Sequence, residues 1–374
     1  MKKILLWVVV ALLIGGCQKT TPKQEASKQV EDDIVSFVAV GDNLMHQKLL
    51  DGAKTEDGYD FSPYYTNIKP YIEQADLAFV NQETILGGGK PSGYPYFNTP
   101  DEMAKNLHDV GFDIVNGSTN HALDQGYKGV QHSLEVFKQY PDMTYIGLYE
   151  SKDDRIQVVE KNGLRIAFLT YNQTLNTTQD YPSYCIHDFN QEQIKQDVEN
   201  AQEISDIIIA SCHWGVENDT EPQPFQKKNA KLLADLGVDI ILGTHTHTLE
   251  PIEWIEGKDG HKTLCAYSLG NFISGMLEEE TQLGGMVSCD FHKVGSEWTI
   301  ENVCLTPLMN HYEASDLKDV YDTREMFTVY RLKDYTDELA KTHALQGYEG
   351  IQISIARMQE KVKERVSSDI QIDM

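Results

Sequence analysis

Two histidines one residue apart, His245 and His247, follow the apolar run VDIIL in the stretch VDIILGTHTHTLEP. Other metal-ligating residue types stand just past other apolar runs: Asp42, Glu83, Asn120 with His121, His213 and Asn271. A hard or borderline divalent ion takes carboxylate, amide-oxygen and imidazole ligands. Asp42, Glu83, Asn120, His213, His245 and His247 make such a set without a thiolate, suited to Zn, Mn or Fe and less to Ca. Two such ions could activate a water and stabilise the leaving oxygen of a phosphate ester or a related electrophile. His121 is then a candidate general acid or substrate-orienting group. Asp124, one helical turn on, is placed to hold His121 in one tautomer.

These residues need elements that bring them together. From Ile34 the chain alternates apolar runs with helix-like segments. IVSFVAVGD, ADLAFVNQE, FDIVNGSTNH, RIAFLTYNQ, DIIIASCHWG, VDIILGTHTH and KTLCAYSLGN read as seven strands. Amphipathic spacing predicts helices over Pro100 to Val110, Gly126 to Tyr140, Gln191 to Ile204 and Pro224 to Leu236. Such alternation implies an α/β domain with at least partly parallel sheets. In α/β sheets the carboxyl ends of the strands gather at one edge, where ligands bind. The candidate residues sit at those ends, so they are expected to converge.

After about Pro307 the pattern changes. REMFTVYRLKDYTDELAKTHAL and YEGIQISIARMQEKVKERVSS read as two amphipathic helices, an expected C-terminal helical extension over 308–374 beside a core domain over 34–307. At the other end, Lys2 and Lys3 precede ILLWVVVALLIGG and Cys17, which reads as a signal peptide over 1–16. Its apolar run is shorter than the ~20 residues a membrane span needs. The polar stretch over 17–33 reads as a flexible tether.

The chain carries 58 acidic against 32 basic residues, a formal net charge of −26. Such a surface repels polyanions and lacks a basic stripe, which argues against nucleic-acid binding. Five cysteines follow Cys17, an odd number without CxxC, so neither a disulfide framework nor a zinc knuckle is expected. Length and a 40% hydrophobic content suffice for a sizeable core.

Six segments, VGDNLMH, NQET, STNHALDQG, CHWG, GTHTHTLEP and YSLGNF, together resemble the CapA family of bacterial poly-γ-glutamate capsule synthesis proteins, within the calcineurin-like metallophosphoesterase superfamily. The resemblance covers about Ser36 to Ser274. It implies a metallophosphatase-like β-sandwich flanked by helices, with a metal site at the strand ends. It implies Asp42 as a first metal ligand, Glu83 as a bridging or near-metal carboxylate, Asn120 and His213 at a second metal, and His245 and His247 completing the site. His121 and Asp124 match the Asn-His-x-x-Asp segment of the family. The pattern Ile14-Gly15-Gly16-Cys17 resembles a bacterial lipobox, which implies lipid anchoring through Cys17 on the extracytoplasmic face of the membrane.

The departures bear on chemistry. Asp42 is followed by Asn43-Leu44, so the Asp-x-His pair of phosphoesterases is missing, and Glu83 stands where their bridging Asp would be. His46 occupies a position where many family members have Arg, as an extra ligand or a phosphate-directed group. Thr246 between the histidines brings the loop closer to the phosphoesterase Gly-His-Thr-His form.

Plainer roles compete at each position. Asp42 and Asn120 could be turn or cap residues, Glu83 a surface acid, and His46 or His121 ordinary structural histidines. Asn271 could bind substrate or, as its plainer role, brace its loop; Trp214 is expected to pack, and Cys212 to lie in the strand core opposite His213. Two functions remain open: a membrane-anchored metal-dependent hydrolase of capsule or exopolymer metabolism acting on phosphoester or polymer amide bonds, or a non-catalytic scaffold for the membrane subunits of a polymer synthase. A solute-binding lipoprotein would not need the histidine cluster.

Overall fold

A computed structural model describes residues 34–374 apart from 153 and 178. The expected signal peptide, tether and Cys17 lie outside the described residues. Strands β1 (Ile34–Asn43), β2 (Leu77–Gln82), β3 (Ile114–Asn116) and β4 (Thr144–Ile146) run parallel in one sheet. Strands β5 (Gln157–Lys161), β6 (Leu164–Asn172), β7 (Ile207–His213), β8 (Ile240–Thr244), β9 (Ile252–Glu256) and β10 (Lys262–Ala266) form a second, in the order β5-β6-β7-β8-β10-β9. The chain then returns to the first sheet through β11 (Asn271–Ile273), β12 (Leu283–Val294), β13 (Glu297–Ala314), β14 (Arg324–Arg331) and β15 (Gln371–Ile372). That sheet is ordered β14-β13-β12-β1-β2-β3-β4, with β11 on β1 and β15 on β13.

The sheets face each other across one core. Period-two alternation along β7 sorts its side chains: Ile207 and Ile209 join the inter-sheet core, whereas Ile208, Ala210 and Cys212 pack outward against the helices Gln191–Ile204 and Pro224–Leu236. By the same alternation His213 falls on the inner side and Cys212 on the outer. Phe79 of β2 stacks on Phe168 of β6 across the gap, with ring centroids 6.5 Å apart. The helix Glu102–Val110 buries Met103, Ala104, Leu107 and Val110 in the same core and ends on Gly111 in the left-handed conformation. The fold is therefore an α/β sandwich with helices on its flanks, as the strand and helix pattern implies.

All four expected helices are present, over Glu102–Val110, Gly126–Phe137, Gln191–Ile204 and Pro224–Leu236. Two expectations need correction. KTLCAYSLGN is not one strand: β10 ends at Ala266 and β11 begins at Asn271 in the other sheet, across Gly270 with φ +63°. The C-terminal segment is not two helices: Arg324–Arg331 is strand β14, and helix appears over Asp337–Thr342 and Ile355–Arg365. The boundary placed at 307 falls inside β13. Met326, Phe327 and Val329 fit a helical stripe on paper, but pairing with β13 puts this segment in the sheet.

Two glycines are required by close backbone approach. A Cβ on Gly41 would lie 1.9 Å from the Gly270 carbonyl oxygen, and one on Gly243 would lie 1.8 Å from that of Tyr267. These contacts let β1 and β8 seat the loops that follow Leu269 and Ala266. Gly41→Ala is expected to lower unfolding stability by about 2 kcal/mol or more, because the clash is with backbone and overpacking of this kind is costly. Urea denaturation checks this, and a change below about 0.5 kcal/mol would contradict the close approach.

Candidate metal centre

The parallel strands of both sheets deliver their last residues to one place. Asp42 ends β1 with Asn43, Glu83 follows β2, Asn120 and His121 follow β3, His213 ends β7, and His245 to His247 follow β8. All of these side chains are buried, and Asp42 and Glu83 are completely so. Two groups of ligand atoms result, Asp42 with Glu83 and His247, and Glu83 with His213 and His245, each within 4.8 Å of one another.

Glu83 belongs to both. Its Oε2 lies 3.7 Å from His247 Nδ1, and its Oε1 lies 3.9 Å from His213 Nε2. Among the described residues neither oxygen accepts a hydrogen bond, although both are buried, and the buried Nδ1 of His245 also lacks a partner. A buried carboxylate without donors is costly. Burial, then the neighbouring Asp42 carboxylate, pushes the Glu83 carboxyl well above its ordinary range. Burial alone would lower His247, but Glu83 and Asp42 outweigh it and lift the imidazole to about 10. Burial, with the other imidazoles next, holds His213 well below its usual value and His245 at about 4. The donor set therefore fits divalent cations: carboxylates, an amide oxygen and the neutral imidazoles of His213 and His245 converge with orphaned atoms facing inward, and His247 would give up its Nδ1 proton to an incoming ion. Asp42, Glu83 and His247 would hold one ion, and Glu83, Asn120, His213 and His245 a second.

Residues that the ligand motifs do not reveal aim these ligands. Asn116 Nδ2 donates to Asn81 Oδ1 at 2.7 Å, and Asn81 Nδ2 donates to Asp42 Oδ1 at 2.7 Å. This relay leaves Oδ2 of Asp42 toward His247, whose Nδ1–H donates to it at 3.1 Å. Thr244 Oγ1 lies 2.9 Å from His213 Nδ1, so a bond there leaves the Nε2 lone pair for a cation, beside Asn120 Oδ1 at 3.0 Å. His245 and His247 adopt φ of +97° and +63°, left-handed values uncommon for histidine, which turn both imidazoles inward. The signal for Asn81 and Asn116 was present in FVNQE and DIVNG, as an amide ending an apolar run.

The remaining candidates fall outside the ligand groups. Asn271 braces: its Oδ1 lies 3.2 Å from His247 Nδ1, and its Nδ2 donates to Ser274 Oγ and the Thr281 carbonyl. His46 is partly exposed, and its Nδ1 accepts the Gly275 N–H at 3.2 Å, so it is no ligand in either group. Trp214 packs, donating from Nε1 to the Tyr267 carbonyl at 2.8 Å. His121 and Asp124 do pair: Nδ1–H donates to Oδ2 at 2.7 Å, and that oxygen also accepts the Phe97 N–H. This leaves His121 Nε2 for a substrate atom. A cavity of about 610 Å³ opens beside the pair, lined by Tyr96, Leu123, Asp124, Leu175, Asn176, Thr177 and Gln179.

The C-terminal segment holds the loop that follows β11. Asn310 Oδ1 accepts the Ser274 N–H, and Tyr312 Oη donates to the Met276 carbonyl. Glu279 pairs with Arg357 at 2.7 Å and Lys361 at 2.8 Å, and Glu280 pairs with Arg365 at 2.7 Å. The loop carrying the Asn271 contacts is thus tied to the last helix.

A family model described as bacterial capsule synthesis protein PGA_cap matches residues 36–276. The chain belongs to this family. It is 29% identical over 307 residues to the PGA biosynthesis protein CapA of Bacillus subtilis, covering 78% of this chain and 76% of that protein. It is 26% identical over 284 residues to the capsule biosynthesis protein CapA of Bacillus anthracis, covering 72% and 67%. Among solved structures, the calcineurin-like phosphoesterase YfkN of Bacillus subtilis aligns with 89% of this chain and 98% of its own, at 13% identity and a TM-score of 0.42. The matched region holds every candidate metal ligand. No described helix is long and apolar enough to cross a membrane.

Glu83→Gln keeps the shape but removes the shared charge, so metal content at saturation is expected to fall from about two ions per chain to one or none. The metal-free variant should be at least as stable as the parent, because a neutral amide replaces an acid that burial disfavours. Elemental analysis and thermal melts check both, and undiminished metal content would exclude Glu83 as a bridge. Glu250, three residues past His247, gives a pH-dependent test. Gln226 Nε2 donates to its Oε2 at 2.6 Å, its Oε1 has no partner among the described residues, and burial raises its carboxyl to about 8. Between the unfolded value near 4.5 and this folded value, the folded state binds more protons, so stability falls as pH rises through that window. Glu250→Gln is expected to change little at pH 4 and to stabilise by roughly 1–3 kcal/mol at pH 8, read by urea unfolding at both.

Proposed function

We propose that this protein is a metal-dependent hydrolase of capsule or exopolymer synthesis that cleaves a polymer amide bond, with phosphoester cleavage as the related chemistry. Membership of the capsule synthesis family supplies the process. The observation that carries the chemistry is Glu83, whose two donor-free oxygens face two separate sets of ligand atoms. Divalent ions held there, Mn, Zn or Fe, would polarise the scissile group and lower the pKa of an attacking water.

The chain's own residues supply the rest. Asp124 keeps the His121 proton on Nδ1 and orients the ring through a bond of 2.7 Å. A protonated Nε2 then gives its proton to the leaving amine as the C–N bond breaks, while water supplies the oxygen to the acyl carbon and the proton it releases restores the Nε2–H. Phe97, with its ring edge-on to His121 at 4.6 Å, limits water around that proton. We further propose that Cys17 carries a lipid anchor, that the domain works outside the membrane, and that its partners include membrane subunits of a polymer synthase.

The test uses the full chain reconstituted with Mn, given a γ-linked glutamyl oligomer and, separately, p-nitrophenyl phosphate. His121→Gln is expected to lower turnover by about a hundredfold or more while metal content stays unchanged. Equal turnover in the variant would remove His121 from the chemistry. Metal binding without cleavage of either substrate by the parent protein would favour the non-catalytic scaffold.

A further inference from the structure

The chain contains six arginines, at 155, 165, 324, 331, 357 and 365. Five pair with carboxylates: Arg155 with Asp197, Arg165 with Asp206, Arg331 with Asp334, Arg357 with Glu279 and Arg365 with Glu280, all at 2.5–2.7 Å. Arg324 does not, in a protein with 58 acidic residues. It is nonetheless the only buried arginine, 7% exposed, and among the described residues no carboxylate lies within ion-pair distance of it. Its Nη1 donates to the Gly275 carbonyl, while the buried Nε has no partner among the described residues. Burying a guanidinium without an anion is expensive, and burial lowers its pKa.

Its place gives the cost a purpose. Arg324 opens β14, which packs against the helix Gln47–Ala53 that begins after His46. The Gly275 backbone joins the two side chains, its carbonyl taking the Arg324 bond and its N–H donating to His46. His46 in turn lies within the electrostatic reach of Arg324, His247 and His121. Its ring is 5.5 Å from Phe97, whose ring is 4.6 Å from His121. One glycine residue and one imidazole thus link Arg324 to the side chains around the metal centre. The guanidinium face lies 4.8 Å from the ring of Tyr321, itself 60% exposed.

We propose that Arg324 receives an oxyanion of the ligand bound at the metal centre, with its Nε and Nη2 edge as a two-pronged donor for a carboxylate or a phosphate. This rests on the reading that an anionic substrate reaches that centre. A guanidinium fork matches either group in plane, whereas lysine offers only a point charge. A repeating γ-linked glutamyl chain places a free carboxylate beside every scissile amide, so an anion receptor beside the metal centre would select for it. The subsite also answers an electrostatic difficulty, since a protein of net charge −26 repels a polyanion unless local cations offset it.

The test uses the full chain loaded with Zn and titrated separately with a γ-linked glutamyl trimer and with inorganic phosphate. Arginine Nε–H signals in a proton–nitrogen spectrum report contact directly, and Arg324→Lys assigns the one concerned. The trimer is expected to shift the Arg324 signal, with Arg324→Gln weakening its affinity about tenfold or more and Arg324→Lys by less. A shift with phosphate alone would keep the oxyanion subsite, assign it to a phosphoester ligand, and remove the glutamyl polymer from the functional reading. An unmoved signal with both anions would overturn the subsite, even with Zn fully bound. Because the parent protein is read directly, a glutamine variant that fails to fold leaves the test intact.

Discussion

One carboxylate organises the molecule. Glu83 is fully enclosed and donor-free on both oxygens among the described residues, and it sits where the ends of β1, β2, β7 and β8 meet. An acid in that state must either take up a proton or be compensated by cations. Protonated His247 offers partial compensation by the protein's own charges, and two divalent ions would take over that role, one of them in place of the His247 proton. The surrounding polar architecture follows from this demand. The Asn116 to Asn81 to Asp42 relay aims a second carboxylate, and Thr244 frees one nitrogen of His213. Each bond spends hydrogen-bonding capacity on orienting a ligand that would otherwise face several ways.

The sandwich makes that convergence possible. Two parallel half-sheets, β1 to β4 and β6-β7-β8-β10, present their carboxyl ends on one side of a shared core. The contacts made by Gly41 and Gly243 bring the returning chain against β1 and β8. Left-handed backbone at His245 and His247 is strained for histidine, and the packed loops around it hold the strain.

The family match ends at residue 276, yet the structural unit continues. Strands β12 to β14 complete the first sheet, and Asn310, Tyr312 and the last helix secure the loop after Asn271. The C-terminal segment is therefore a brace for one edge of the metal centre, joined to the fold by backbone pairing as well as by ion pairs. It also contributes Arg324, a buried cation linked to His46 through the Gly275 backbone.

Much of this was legible in the order of residue types. Apolar runs ending in Asp42, Glu83, His213 and His245 to His247 named both the strands and the ligands, because a strand must be apolar where buried and polar where its end meets a site. Helical spacing located the four longer helices between residues 100 and 240 for the same reason of one-sided burial. The strand character of Arg324–Arg331 was hidden, since β14 is decided by pairing with β13 rather than by local periodicity. Asn81, Asn116 and Thr244 each close an apolar run, but the partners they orient were hidden, because a hydrogen-bond relay between residues 35 apart has no local signature. The sequence by itself determined the α/β class, the ligand types and the family. Only the tertiary structure decided that Glu83 is shared, that Asn271 braces and that Arg324 lacks an acid, because each is a relation between distant side chains inside one packed core.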